Sequence, residues 1–556
     1  MTETKTIVAD FERVQQERAN WEALWQDIAE LVMPRREFTT ERTKGAERHQ
    51  HLFDTTAVRA NSQLAAGLES FLVNPRTKWF ELRTGDAALD QNTAVQQWLQ
   101  SVRDKILTHF ASRDSNFYPA VHEGFQDIGA FGTMVHFIGE GRNNRPRFTA
   151  RPLAEIFVRA DDRFDIDTVY RKYRLTAKQM RDAFGEDALP ESVTQALSNN
   201  KLGENFDILH AVFPRGTFDP NVAQTKENMP FASIHILLTG KSKNTQIGEE
   251  SGFRDFPFTV SRWSKAAGET YGRSPSMDVL GDIRMLQRMN ETVIKAAQKI
   301  VDPPLLAPDD GFLHPLRTQP GSVNFFRASR FAGSNGQNPS GLTPLQTGAQ
   351  PDFGQTMIQE RQRQVQEAYL LREILGLVSR GDSSPLKATE VVGRQQQALR
   401  QLAPILARLQ DEFLIPAVDR TFAMMFRNND LPAAPEELRG RDIEVRFVSQ
   451  AATAQQASEN ENMLNWLQQV FPVLEVDQNA AFNIDTDALV RKAAEANNVP
   501  AEVLVSREAV EQKRAQAAQQ QQQQSAVARL QQVGEAAGTL SEAGGTLSEI
   551  TARRQQ

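Results

Sequence analysis

The stretch SPSMDVLGDIRMLQRMNETVIKAAQKIVDPP, Ser274 to Pro304, decides how the rest of the chain is read. Ser274 can accept a hydrogen bond from a free first-turn amide, and Pro275 fits the first helical position because its ring fixes φ and its missing N–H has no partner there anyway. Val279, Ile283, Leu286, Asn290, Val293, Ala297 and Ile300 follow at alternating steps of four and three. That is a heptad seam with one polar insertion. The spacing predicts one helix from 275 to 301, a rod of about 40 Å at about 1.5 Å per residue. Asp302-Pro303-Pro304 ends it, since proline neither donates to the ladder nor fits a helix interior.

Downstream, residues 302–350 hold seven prolines and six glycines, a density no helix survives. They predict a compact, loop-rich β module with short strand-like runs such as Ser322 to Phe326. A second helix is expected from about Gly354 to Leu377, so that two long helices carry a small module like a stalk with a tip. A polar loop follows. Beyond it a very long apolar-periodic helix is expected from Ala388 to Arg427, kinked or interrupted at Pro404 and Pro416. Ile443 to Val448 reads as a strand. The remainder reads as helical, with Gln519 to Gln524 inside a polar helical stretch. Gly-Thr-Leu-Ser-Glu occurs at 538–542 and again at 545–549, a weak sign of terminal helices bundling in an oligomer.

Upstream, Val14, Trp21, Leu24, Trp25, Ile28 and Leu31 recur at helical spacing, predicting a helix from about Ile7 to Val32. A second is expected after the capping cluster Asp54-Thr55-Thr56, closed by Asn74-Pro75, and a third carries Val95 to Phe110. Alternating runs at Thr133–Ile138, Arg147–Leu153, Asp165–Arg174, Ile208–Phe213, Phe231–Leu238 and Phe258–Trp263 read as strands. The fold class is therefore α+β and mainly helical, with leading helices backed by an antiparallel sheet.

The chain of 556 residues is long enough for several domains, and 40% hydrophobic and 24% charged residues describe an ordered protein. It contains no cysteine, which removes disulfides, thiolate metal sites and cysteine nucleophiles. Neither a signal peptide nor a membrane-spanning run is expected. The net charge of −7 argues against tight, static binding of nucleic acid, although an acidic wall suits a passage that must not stick.

Chemistry is sparse. Gly240-Lys241-Ser242 lacks the glycine of a phosphate-binding loop, because His235 stands where it belongs. Asp161, Asp162, Asp165 and Asp167 lack calcium-loop spacing and read first as a solvated strand edge. His49 and His51 show no metal-ligand pattern, and Arg380-Gly381-Asp382 reads as a flexible loop rather than an adhesion motif. No catalytic residue, metal or cofactor is expected. Arg284, Arg288, Lys295 and Lys299 share the stalk helix. Their first reading is a solvated face, helped by Glu291 and Lys295 at i, i+4; the functional one is a ring of cations brushing phosphates in a channel. The aromatic residues sit at core spacing, unlike those of a base-stacking single-strand binder.

Phe53-Asp54-Thr55-Thr56-Ala57, Leu64-Ala65-Ala66-Gly67-Leu68, Asn74-Pro75 and Trp79-Phe80 resemble the N-terminal signature of podovirus-type portal proteins, the head-to-tail connectors of short-tailed phages. Tyr271-Gly272-Arg273-Ser274-Pro275, leading into a helix that ends in Asp302-Pro303-Pro304, is similar to the limits of that family's first stem helix. Thr389-Glu390-Val391 and Leu402-Ala403-Pro404-Ile405-Leu406 resemble the long helix behind its tunnel loop. The matches keep the family's order from about residue 50 to 450.

The resemblance implies a non-enzymatic conduit for double-stranded DNA, built as a closed homo-oligomeric ring of about twelve subunits. It implies a wing (1–274 and 388–450), a two-helix stem (275–301 and 353–377), a small β-rich clip (302–352), a tunnel loop (378–387) and a helical C-terminal crown and tail (451–556). The tunnel loop would be Ser379, Arg380, Gly381, Asp382, Ser383, Ser384 and Pro385. Arg284, Arg288, Lys295, Lys299, Arg380 and Lys387 are the DNA-channel candidates. Implied partners are terminase, a tail adaptor, the major capsid protein and scaffold, with no membrane. The implied place is a unique capsid vertex of the virion, reached from the host cytoplasm during assembly. The rivals are a scaffolding or other structural assembly protein, a tail or adaptor ring, and a metal-dependent nuclease using Asp161, Asp165 and Asp167.

Overall fold

The computed structural model describes most of residues 4–34, 52–301, 351–374 and 400–447, the pairs 305–306 and 343–344, and short C-terminal stretches, chiefly the helix at 509–520. Nearly all of the expected clip, the expected tunnel loop at 378–387, residues 388–399 of the long helix and much of 448–556 lie outside the described residues. The chain divides into two compact units: 1–81, 102–432 and 445–451 form the first, and 82–101, 433–444 and 452–556 the second.

In the first unit α1 (Thr4–Leu31) and α2 (Thr56–Leu72) precede α4 (Phe117–Phe131); of α3 (Thr93–Ala111) only residues 102–111 belong to this unit. Strands β2 (Thr133–Glu140), β3 (Pro146–Arg151) and β10 (Phe258–Arg262) make an antiparallel sheet in the order β10-β2-β3. A larger sheet runs β4-β5-β6-β7-β8, with β9 also on β7: β4 Ile156–Ala160, β5 Ile166–Thr176, β6 Asn205–Pro214, β7 Phe231–Leu237, β8 Thr245–Gln246 and β9 Ser251–Phe253. All six expected strands are present, and β4 joins them.

Period-two alternation explains the larger sheet. Tyr170, Ala211 and Ile234 stand in one cross-strand row. Together with Leu209 and Ile236 they bury against Ile7, Val8, Phe11 and Val14 of α1. At about 1.5–3 kcal/mol per large apolar side chain removed from water, this contact is the main reason α1 stays on the sheet. Arg18 adds a polar clamp from the same helix. It is 2% exposed, donates to the carbonyls of Leu153 (3.0 Å), Ala154 (3.0 Å) and Ile156, and lies 3.9 Å from the Phe157 ring centroid. On the opposite face α5 (Ala177–Phe184) and α6 (Glu191–Ser198) cover only one end, packing Met180 and Val193 on Phe206, Ile208 and Leu237.

The three-stranded sheet buries its other face under α4 and a helical segment from 400 to 427. That segment carries a π-turn at Gln410–Leu414, followed by α10 (Ile415–Arg427). Phe413 stacks on His136 at 4.6 Å, and Phe110 and Phe117 stack at 4.1 Å beside Phe148. No interruption falls at Pro404, since residues 400–409 are continuously helical. The interruption falls immediately before Pro416, in the first turn of α10, where a missing N–H is harmless.

Two further expectations need correction. The helix predicted from 275 to 301 is two helices, α7 (Pro275–Asp278) and α8 (Leu280–Val301), because Val279 leaves the helical region at φ −113° and ψ 18°. The second stalk helix, α9 (Pro351–Ala368), stops short of Leu377: Leu370 adopts φ 52°, which breaks the ladder before helical residues resume at Leu371. Leu305–Leu306 pair antiparallel with Thr343–Pro344, while the strand-like run expected at Ser322 to Phe326 lies outside the described residues.

In the second unit, Thr84 and Asp90 close a local turn through Oγ1–Oδ1 (2.8 Å) and N–Oδ1 (2.9 Å) hydrogen bonds. Residues 509–520 form a polar helix that includes Gln519 and Gln520. Arg514 holds Asp487 in a forked ion pair, both bonds 2.7 Å.

Candidate functional site

Helices α7, α8 and α9 carry the residues singled out in the sequence, and several devices fix their position. The first is the junction with α4. Gly132 caps α4 at φ 76°, and a Cβ there would lie 2.4 Å from the Gly272 carbonyl oxygen. A side chain at Gly272 would collide in turn with Gly132, at 2.1 Å. Both glycines are therefore required by a backbone crossing that brings the two segments together. Ser274 donates to Ala130 O (2.8 Å) while accepting from Met277 N (3.1 Å), so one hydroxyl ties off the end of α4 and caps α7. Ser276 donates to Gly129 O at 2.7 Å. Its only proton is thereby committed, so Tyr369 after α9 is the donor in their 2.6 Å contact. Tyr369 is fully buried, and burial raises its pKa, which keeps the hydroxyl a donor.

A polar knot is the second device. Gln287 on α8 accepts from the amides of Phe53 (2.7 Å) and Asp54 (2.9 Å) and donates to Asp54 O (2.8 Å). The Asp54 carboxylate accepts from Thr56 N at 2.9 Å, from Gln362 of α9 at 2.8 Å and from Asn290 at 3.4 Å. Asp54 and Gln287 are each 7% exposed, so these bonds form out of water, where leaving either partner unpaired is costly. Asn290, the polar insertion in the heptad seam, thus faces a partner. A third tie joins α9 to α8 through Arg361 Nη1 and Asp282 Oδ1 at 2.8 Å.

The knot leaves one face of α8 free. At about 100° per residue, Arg284, Arg288, Lys295 and Lys299 fall within roughly 60° of one another, along about 22 Å of helix. All four are exposed. Arg284 pairs with Asp27 of α1, and Lys295 with Glu291 at 2.5 Å. Such exposed pairs contribute little to stability. Arg288 and Lys299 have no ion-pair partner among the described residues. Beside this basic face runs an apolar one: Met285 is 44% and Ile300 50% exposed. The seam itself buries Ile283 and Leu286 near the knot, whereas Ala297 and Ile300 are exposed toward the far end.

The remaining candidates separate from this site. Arg380 and Lys387, with Ser379, Gly381, Asp382, Ser383, Ser384 and Pro385, lie outside the described residues, as do His49 and His51. Asp161 spends one carboxylate oxygen on the amides of Arg163 and Asp165, both at 2.9 Å, which makes it the organiser of the turn between β4 and β5. Asp167 accepts from the Thr168 hydroxyl at 2.8 Å. Gly240, at φ 83°, begins the turn after β7. Sequence reading missed Gln287, Gln362, Ser276 and Tyr369. Only Gln287, polar beside an otherwise apolar seam, carried a signal.

The bacteriophage head to tail connecting protein family matches residues 4–504. The probable portal protein of Bordetella phage BPP-1 is 30% identical over 461 residues, 82% of this chain and 80% of its own length. The portal protein of Salmonella phage epsilon15 is 26% identical over 546 residues, covering 97% and 96% of the two chains. That of Escherichia phage T7 is 20% identical over 459 residues, 79% and 78% of the two chains.

Proposed function

The chain belongs to the bacteriophage head to tail connecting protein family, the phage portal proteins, and on that premise we propose that about twelve copies close into a ring that conducts double-stranded DNA without chemistry of its own. The observation that carries this reading is the near full-length likeness to portal proteins, 97% of the chain in one case. In this reading α7, α8 and α9 form the stem, the proline-rich stretch at 302–352 is the clip, residues 378–387 the tunnel loop, the two-sheet body the wing and the C-terminal helices the crown. The basic face of α8 lines or borders the channel. The apolar stripe through Met285 and Ile300 packs on a neighbouring copy. A duplex presents about one phosphate per 1.7 Å, so a few cations on a chain of net charge −7 would touch it transiently rather than hold it. Packaging energy comes from a separate terminase motor, and the clip docks that motor and later a tail adaptor. The ring sits at one capsid vertex, having assembled with capsid protein and scaffold in the host cytoplasm.

The test is negative-stain imaging with mass photometry on the purified chain. Rings of about twelve subunits with a hole wider than a duplex are expected. Monomers that cut plasmid DNA with a divalent ion would overturn the reading.

A further inference from the structure

One face of the larger sheet holds an unusual row. Arg171 on β5, His210 on β6 and His235 on β7 are direct cross-strand neighbours, on the face away from α1. The helices α5 and α6 cover one end of that face, and Phe184 at the end of α5 meets His235 edge-on at 5.0 Å, which leaves Arg171 and His210 beyond them. Opposite it stands the three-stranded sheet, whose Phe137 ring is 6.5 Å from His210. Arg151 of that sheet lies over Phe137, its guanidinium carbon 5.3 Å from the ring centre. Arg171 lies over Tyr173 in the same way, at 4.0 Å. Two guanidinium planes and two imidazoles therefore meet in one cleft between the sheets.

Donors and positive charge exceed acceptors there. The carboxylate identified in the cleft, Glu155, is 2.9 Å from Arg171 Nε and is committed to it. Arg151 forms no ion pair among the described residues, and its buried Nε has no hydrogen-bond partner there. Burial and the nearby Arg171 charge lower its pKa to about 10, so the two cations repel while both stay charged. The imidazoles stack at 4.1 Å with 4° between planes, and His210 Nε2 lies 2.9 Å from Ser233 Oγ. A buried, unpaired guanidinium beside a second cation is costly to fold around. Its cost falls if an anion enters. Solvent reaches the cleft, since Arg151, Arg171 and His235 are only partly buried.

We propose that this inter-sheet cleft, walled by Arg151, Arg171, His210 and His235, binds a phosphate-class oxyanion. The chemistry follows from donor number and shape. Each guanidinium is a planar fork lying over an aromatic ring, the shape that matches two oxygens of an oxyanion. The unpaired Arg151 fork, the Arg171 Nη groups (its Nε being taken by Glu155) and an imidazole supply more donors than the two oxygens of a carboxylate accept, whereas a phosphate group offers three or four. The site is separate from the basic face of α8 and does not depend on the channel reading.

The test uses the full-length protein in phosphate-free buffer at constant ionic strength. Inorganic phosphate, pyrophosphate and ATP are titrated separately, with binding read by calorimetry and by thermal shift. Saturable binding of at least one probe is expected, at one per chain. Inorganic phosphate binding alone would identify a free-ion site; binding of pyrophosphate or ATP without inorganic phosphate would identify the phosphates of a larger ligand. Arg151→Met should weaken binding by about tenfold to a hundredfold, the equivalent of one charged, forked contact. Arg151→Lys keeps the charge, is the safer variant for folding, and should weaken binding by about tenfold while melting as the wild type does. Arg163→Gln, on the surface turn after β4, should bind as the wild type does. Absence of saturable binding by all three probes would overturn the proposal, as would binding that both Arg151 variants leave unchanged. Loss of oligomers in Arg151→Met without binding of any probe would overturn it in favour of a carboxylate from a second copy.

Discussion

Replacing Glu412 by Leu removes the acceptor of three hydrogen bonds at once: from the Arg262 amide at 2.7 Å, from Nε at 3.0 Å and from Nη2 at 2.6 Å. Arg262 is 4% exposed, and its guanidinium would keep only a 3.4 Å contact with Thr270 O. Stranding one member of a buried pair costs about 3–5 kcal/mol. Removing both charges with Arg262→Met and Glu412→Leu should be far milder, leaving chiefly the unpaired β10 amide at about 1–3 kcal/mol. A chain of two compact units is a poor candidate for two-state unfolding, so a global midpoint would mislead. Hydrogen exchange at Phe258–Arg262 reads the local free energy instead. At about 1.4 kcal/mol per tenfold, the single variant should lose roughly two to three decades of protection there. The double variant should recover at least one decade. A loss under tenfold in the single variant, or a double variant as labile as the single, would refute the view that this pair clamps the π-turn to β10.

Gln287→Leu should destabilise by about 2–5 kcal/mol, because the amides of Phe53 and Asp54 lose their acceptor in a buried setting; exchange protection at Phe53–Thr56 checks this. Gly132→Ala combines a φ of 76° with a 2.4 Å approach to Gly272 O and should lower soluble yield and shift melting by several degrees; a wild-type melting curve would contradict the crossing. Burial lowers the His136 pKa to about 4 from about 6.5 unfolded. The folded state therefore binds fewer protons: stability is full above about pH 6.5 and is lost as pH falls toward 4, by up to about 3 kcal/mol from this residue. His136→Gln should flatten a plot of melting temperature against pH in that window. Arg288→Ala with Lys299→Ala should leave melting unchanged, since both are exposed and have no ion-pair partner among the described residues; on the proposed channel reading the pair should also reduce salt-dependent contact with DNA.

Local periodicity made much of this fold legible. Strands 133–140 and 205–214 and helices α1 and α2 follow from spacing alone, as does the basic face of α8. The helix at Phe117–Phe131 escaped because Gly124, Gly129 and Gly132 dilute its pattern. Those glycines answer to tertiary crowding: added Cβ atoms would meet His136 at 2.4 Å, Asn61 at 2.2 Å and Gly272 at 2.4 Å. The polar knot joins residues 54, 287 and 362, and nothing local announces such a meeting. Asp54 reads as a cap from its neighbours, yet it also binds two distant helices. The Arg171–His210–His235 row is a matter of strand register, which alternation constrains only to which side each residue faces.

The π-turn has a consequence in helical phase. Leu402, Leu406, Leu409, Phe413, Ala417, Thr421 and Met424 are all buried, at steps of four, three, four, four, four and three. On a regular helix each step of four overshoots a full turn by about 40°. The three successive fours from Leu409 to Thr421 would accumulate about 120° and carry Thr421 off the buried side. A single π-turn accommodates one extra residue, about 100°, and cancels most of that drift. The core stripe stays straight because the helix is locally wide. Deleting one residue between 410 and 414 would restore regular winding and swing residues 400–409 round by about 100°, pulling Arg408 away from the Trp263 carbonyl it now reaches at 3.2 Å.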